Sequence, residues 1–105
     1  PEYKDNIVEI RIEGHTDSNG GYFYNMELSQ NRTRSVLEYC FSLMTQEQMI
    51  WAKRLITANG LSSSQPILVH GVEDKSLSRR VEFRVRTNAE KQLEEIANKR
   101  FNVEQ

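Results

Sequence analysis

Two stretches of this chain alternate apolar and charged residues with the period of a β-strand, and together they leave little choice of fold. In IVEIRIEG (7–14), Val8, Ile10 and Ile12 point one way and Glu9, Arg11 and Glu13 the other. In RRVEFRVRT (79–87), Val81, Phe83 and Val85 are expected inward and Glu82, Arg84 and Arg86 outward. A period of two marks a half-buried strand. The opposite charges on the two outer faces suit neighbours in one sheet. The apolar face of such a sheet has to be covered, and the residues between the strands are the natural cover.

There the periodicity changes. GHTDSNGG (14–21) is a loop by composition, with glycines beside Asp, Ser and Asn. From about residue 25 to residue 44, Leu28, Val36, Tyr39, Cys40 and Leu43 recur at three- and four-residue steps, the stripe of an amphipathic helix, and Arg32 falls on it. Thr45-Gln46-Glu47-Gln48 has the pattern of a capping box. It predicts a second helix that carries Met49, Ile50, Leu55 and Ile56 and stops near Asn59-Gly60. GLSSSQP (60–66) reads as a loop, 67–69 as a short strand and GVEDKSLS (71–78) as a polar turn. After the second alternating strand, Thr87-Asn88-Ala89-Glu90 opens a largely polar helix to about Lys99, expected to bury Leu93, Ile96 and Ala97. The expected order is strand, helix, helix, strand, strand, helix: an α+β two-layer sandwich with helices on one face of a small mixed sheet. One domain is expected over residues 6–87, with a C-terminal helix and tail over 88–105.

Composition narrows the function. A net charge of −1 lacks the basic excess of a nucleic-acid binder, so no nucleic-acid partner is expected. One cysteine makes no internal disulfide, and two histidines far apart give no metal-ligand spacing, so neither metal nor cofactor is expected. No apolar run approaches the roughly 20 residues of a membrane helix, and PEYKDN is not a signal peptide. For a protein working outside the cytoplasm, the targeting segment is expected upstream.

GHTDSNG, NMELSQNRTRSV, GLSSSQPI and SRRVEFRV, in that order, resemble the OmpA-like peptidoglycan-binding domain over about residues 7–87. That family has a strand ending in GHTD, a helix signature N-x-x-L-S-x-x-R-A-x-x-V and a last strand beginning N-R-R-V-E. Asn25, Leu28, Ser29, Arg32 and Val36 occupy the signature in register, while Thr33 stands for the usual Ala and Ser78 for the usual Asn. The family's first strand and helix normally precede GHTD and are absent from this chain, which is expected to be a fragment or processed form. The long second helix and Tyr24-Asn25 further resemble the wall-binding domains of ion-driven motor B subunits, of the flagellar MotB type and the ZorB type of the Zorya anti-phage system.

The resemblance implies non-catalytic binding of the meso-diaminopimelate stem peptide of peptidoglycan. The side-chain end of diaminopimelate carries an ammonium and a carboxylate on one carbon. Asp17 would accept the ammonium, and Arg32 would clamp the carboxylate with its planar fork. Thr16 would add a hydroxyl, while Tyr24, Asn25 and Leu28 would line the wall. Asn25 has a second reading, as the helix cap. Of Arg79 and Arg80, one is expected to brace Asp17 or reach the pocket rim; Arg80 is favoured. The implied parent is a membrane-anchored, periplasmic protein fixed to the wall, in the inner or alternatively the outer membrane, with a homodimer implied by the motor-type likeness. Two other readings stand beside this one. One is a degenerate domain serving only dimerisation. The other is a wall hydrolase using Glu13, His15 or Asp17, which the expected outward position of Glu13 and the lack of a nucleophile beside His15 disfavour.

Overall fold

The computed structural model describes residues 6–89 and 93–98. In chain order its elements are β1 (Ile7–His15), α1 (Tyr22–Ser42), α2 (Gln46–Leu55), β2 (Ile56–Gly60), β3 (Leu68–Val69), β4 (Val72–Glu73), α3 (Lys75–Ser78) and β5 (Arg80–Thr87). Residues 93–98 are helical. The sheet is mixed, in the order β2-β1-β5: β1 runs parallel to β2 and antiparallel to β5. The α+β architecture is therefore the one the alternating stretches imply.

The two long strands pair as their charges suggest, though on the diagonal. Arg11 stands directly opposite Arg84 and Glu13 opposite Glu82. Like charges in direct opposition are relieved on the diagonal, with Arg84 donating to Glu13 at 2.6 Å, while Glu9 stands directly opposite Arg86 and lies 3.5 Å from it.

α1 begins at Tyr22, three residues before the expected start, and its buried face differs from the expected stripe. Asn25, Ser29 and Thr33 are buried, whereas Arg32, Tyr39 and Leu43 are exposed. The cause lies in the sheet. A Cβ on Gly14 would stand 2.7 Å from the Thr33 methyl, and one on Gly60 would stand 2.5 Å from the backbone nitrogen of Gln30. The helix backbone lies so close on β1 and β2 that small side chains fit the contact, and larger apolar ones are turned aside.

α2 starts where its capping box predicts, the Thr45 hydroxyl accepting from the Gln48 amide while the Gln48 side chain accepts from the Thr45 amide. It does not run on to Asn59-Gly60. The chain leaves the helix at Leu55, and Ile56–Gly60 is a parallel edge strand, pairing that only β1 could reveal. The polar stretch 71–78 also holds more than a turn. His70 and Gly71, both at positive φ (54° and 80°), close a two-residue hairpin between β3 and β4, and Asp74 caps the single turn of α3.

Two burial expectations fail. Val81, Phe83 and Val85 share a sheet face with Ile12, but Phe83 is 57% exposed, because α1 and α2 pack over β1 and β2 and leave β5 open among the described residues. Leu93, Ile96 and Ala97 are exposed rather than buried. Glu90, the last residue of the expected capping box, and Lys99 lie outside the described residues.

Candidate functional site

β1 delivers its last residues into a loop held from three sides. The Thr16 amide donates to the Ser62 carbonyl at 2.9 Å, anchoring the loop to the end of β2. Asp17 is almost buried, and each carboxylate oxygen has a partner: Oδ1 accepts from the Asn19 amide at 2.9 Å, and Oδ2 from Arg79 Nη1 at 2.6 Å. The Arg79 guanidinium, and then the Asn19 amide, hold the Asp17 carboxyl below the usual carboxylate range. Asn25 is not the cap of α1. That position is Gly21, which has no side chain to give, while the buried Asn25 amide donates to the Asn19 carbonyl at 2.8 Å and to the Asp17 carbonyl at 3.5 Å.

A second clamp was not legible in the sequence. Segment 73–79 grips three successive loop residues: Arg79 binds Asp17, Glu73 accepts from Ser18 at 2.5 Å, and Lys75 donates to Asn19 at 2.7 Å. Bracing of Asp17 therefore falls to Arg79. Arg80, favoured for it, turns away to Glu82 at 2.6 Å and to the carbonyls of Gln65 and Ser78. The buried Ser62 ties the pieces together, its hydroxyl donating to the Tyr22 carbonyl at 2.6 Å and its amide donating to the Ser29 hydroxyl at 3.1 Å.

Thus Thr16, Asp17 and Asn25 are brought together, with Arg79 added. The Tyr24 ring flanks Gly20 of the same loop, Cδ1 lying 3.8 Å from where a Cβ on that glycine would be. Leu28 is half-buried. Arg32 lies seven residues beyond Asn25, two helical turns and so on the same side of α1. It is exposed and makes no ion pair among the described residues. Arg32 is thus a guanidinium without a partner among the described residues, on the side of α1 from which Asn25 reaches the loop.

The remaining charged groups are committed to one another. Glu13, expected on the solvated face, is buried and paired with Arg84 at 2.6 Å and Arg11 at 3.4 Å. Glu13, His15 and Glu82 bring one ligand atom each within 4.8 Å of one another. Three guanidinium groups, of Arg11, Arg80 and Arg84, already engage the two carboxylates, so a cation entering there would have to displace arginine. His15 is held below its ordinary pKa by burial and by Arg80, and is neutral near pH 7.

A model of the OmpA family matches residues 2–80 of this chain. The chain belongs to the OmpA family. It is 45% identical over 106 aligned positions, 90% of its length, to the Zorya protein ZorB of Escherichia coli (strain Crooks), and 35% identical over 86 positions, 73% of its length, to ZorB of Escherichia coli O139:H28. To the peptidoglycan-associated lipoprotein of Buchnera aphidicola subsp. Baizongia pistaciae it is 41% identical over 71 positions, 68% of its length. The matched regions make up 44%, 32% and 37% of those three proteins, so this OmpA-family chain spans less than half the length of the relatives it matches.

Proposed function

We propose that this OmpA-family domain binds peptidoglycan without catalysis, taking the side-chain end of meso-diaminopimelate between Asp17 and Arg32. The observation that carries this is the contrast between the two groups. Asp17 is pinned in one orientation by Arg79 and Asn19, whereas Arg32 is exposed and unpaired among the described residues. A pre-oriented acid accepts an ammonium with little loss of freedom, and an unengaged guanidinium can bind two carboxylate oxygens at once. Asn25 and Thr16 keep the loop in shape, and Tyr24 and Leu28 offer apolar surface to the methylene chain. Arg79 beside the site offers a second donor to the carboxylate. The likeness to ZorB and to a peptidoglycan-associated lipoprotein supports the same reading. The parent would be a periplasmic wall anchor, fixed in the inner membrane if it serves an ion-driven motor, as a homodimer that engages the polymeric wall at several points.

The test is co-sedimentation with purified diaminopimelate-type sacculi. The wild-type chain should pellet. Arg32→Ala should lose roughly tenfold or more in affinity, as expected for a charged hydrogen-bonding group, and Arg32→Lys should recover only part of it, because an ammonium lacks the fork. Retention of the Arg32→Ala chain at wild-type levels would sink the proposal. Release of soluble muropeptides, abolished in a His15→Ala chain, would favour the hydrolase reading instead.

A further inference from the structure

We propose a second binding site, for a ligand with a terminal phosphate, on the charged face of the sheet. It does not rest on the stem-peptide reading, and the two can fail separately.

A cavity of about 550 Å³ lies against the sheet, a volume in the range of small-molecule sites. Its charged lining is Glu9, Arg11 and Glu13 from β1 with Arg84 and Arg86 from β5. Three arginines against two glutamates leave this cavity positive on a chain whose net charge is −1. The strand register gathers the arginines. Arg11 stands directly opposite Arg84, and Arg86 follows two residues later on the same side of β5. Their Cβ atoms are therefore about 5 Å apart across the ladder and about 7 Å apart along the strand.

The guanidinium groups form the outer layer. Arg11, Arg84 and Arg86 keep 41%, 62% and 60% of their side chains exposed, against 7% for Glu13 and 37% for Glu9. Nor do the ion pairs use up the arginines. Arg84 donates its Nε to Glu13 at 2.6 Å. Arg11 and Arg86 face Glu13 and Glu9 at 3.4 Å and 3.5 Å, held by charge, and make no hydrogen bond among the described residues. The Arg11 Nε is buried and without a partner there. An unbonded buried donor costs stability, and like charges directly opposite repel. An anion seated between Arg11 and Arg84 relieves the repulsion and gives Arg11 an acceptor.

Three planar forks offer more donors than one carboxylate accepts. A phosphate monoester brings three acceptor oxygens and about two negative charges, which suits them better. The cavity exceeds a bare phosphate, and Leu61 and Val85 give it an apolar margin. The ligand therefore carries its phosphate on a larger body, either a soluble phosphate ester or a lipid whose headgroup ends in phosphate.

The experiment combines calorimetric titration with inorganic phosphate and glycerol 3-phosphate, and co-sedimentation with vesicles of phosphatidylcholine with or without phosphatidic acid. Arg11→Gln and Arg86→Gln test the cavity. Arg34→Gln, which removes an exposed arginine of α1 paired with Glu38, controls for net charge. None of the three arginines is buried, so the variants should fold, which urea midpoints check. Wild type should bind a phosphate ester more tightly than inorganic phosphate. Arg11→Gln and Arg86→Gln should each weaken that binding about tenfold, the scale of a charge-assisted hydrogen bond, and Arg34→Gln should not. Binding of glycerol 3-phosphate assigns a soluble ester. Retention on phosphatidic acid vesicles alone, lost in Arg11→Gln, assigns a lipid headgroup, and either result upholds the site. Binding of neither overturns it. Binding that all three variants weaken equally is a response to net charge, and binding that Arg11→Gln and Arg86→Gln leave unchanged is an adventitious ion only; each overturns the proposal.

Discussion

The buried imidazole of His15 has no hydrogen-bond partner on either nitrogen among the described residues, and Glu82 lies 3.8 Å from it. Burial, then Arg80, lowers its pKa below 6.5, so the unfolded chain takes up the proton before the folded one does. Stability rises with pH wherever the unfolded state binds more protons. The neutral imidazole therefore costs nothing well above pH 6.5, and stability is lost as pH falls from there toward the lower folded value. Urea midpoints of wild type should drop between pH 7.5 and 5, and those of His15→Gln should drop less; parallel profiles would contradict this. Asp17 acts in a different window. Its folded pKa lies below 3.8, so what Arg79 contributes is present at neutral pH and is lost only as pH falls below about 4. Arg79→Ala should therefore weaken sacculus binding at pH 7 by releasing Asp17 from one orientation. Arg80→Ala, which breaks contacts to Glu82, Gln65 and Ser78, should cost about 1 kcal/mol of stability and leave binding close to wild type. Equal loss of binding in the two variants, measured by co-sedimentation, would return Arg80 to the site.

At the scale of elements, what the sequence made legible was whatever its neighbours along the chain decide. Alternation placed β1 and β5, and Thr45 with Gln48 placed the start of α2, because a strand face and a capping box are set within a few residues. β2 escaped because ITANG follows α2 without a breaker, and its strand state exists only through parallel pairing with β1. Half of the candidate site was legible in the same way: Asp17, Asn25 and Arg32 sit in a motif, while the contacts of Glu73, Lys75 and Arg79 to the loop close over 55 to 62 residues. The polar seam of α1 follows from Gly14 and Gly60, where helix and sheet nearly touch. A methyl group on Gly14 would meet the Thr33 methyl at 2.7 Å and the Ser29 carbonyl at 2.9 Å, so α1 would have to lift. Gly14→Ala should cost about 1–3 kcal/mol, as other overpacked contacts do. Gly21→Ala meets nothing within 4 Å at a φ of −73° and should stay within about 0.5 kcal/mol of wild type. Denaturant unfolding of the pair separates packing from any general aversion to alanine in this loop.

Taken whole, the sheet has two faces of unlike character, and the chain resolves them unequally. The face away from the helices is a lattice of ion pairs, with Glu9, Glu13 and Glu82 against Arg11, Arg80, Arg84 and Arg86. The other face is closed over β1 and β2 but leaves Val81, Phe83 and Val85 exposed on β5, an edge strand of the sheet. Among the described residues, an edge strand with an exposed apolar stripe offers unpaired backbone groups and apolar surface together, the usual template for association. With a net charge of −1, the chain has little repulsion to oppose contact between copies. It should therefore self-associate at high micromolar concentration. Phe83→Thr removes the largest apolar group of the stripe and keeps a β-branched residue in the strand. Because Phe83 is 57% exposed, this variant should lose little stability while its sedimentation becomes that of a monomer. If it instead unfolds at markedly lower denaturant, Phe83 is packed in solution, and the helices cover β5 after all. If its stability holds and its association is unchanged, contact between copies runs through another surface, and the aromatic start of α1 is the next to alter.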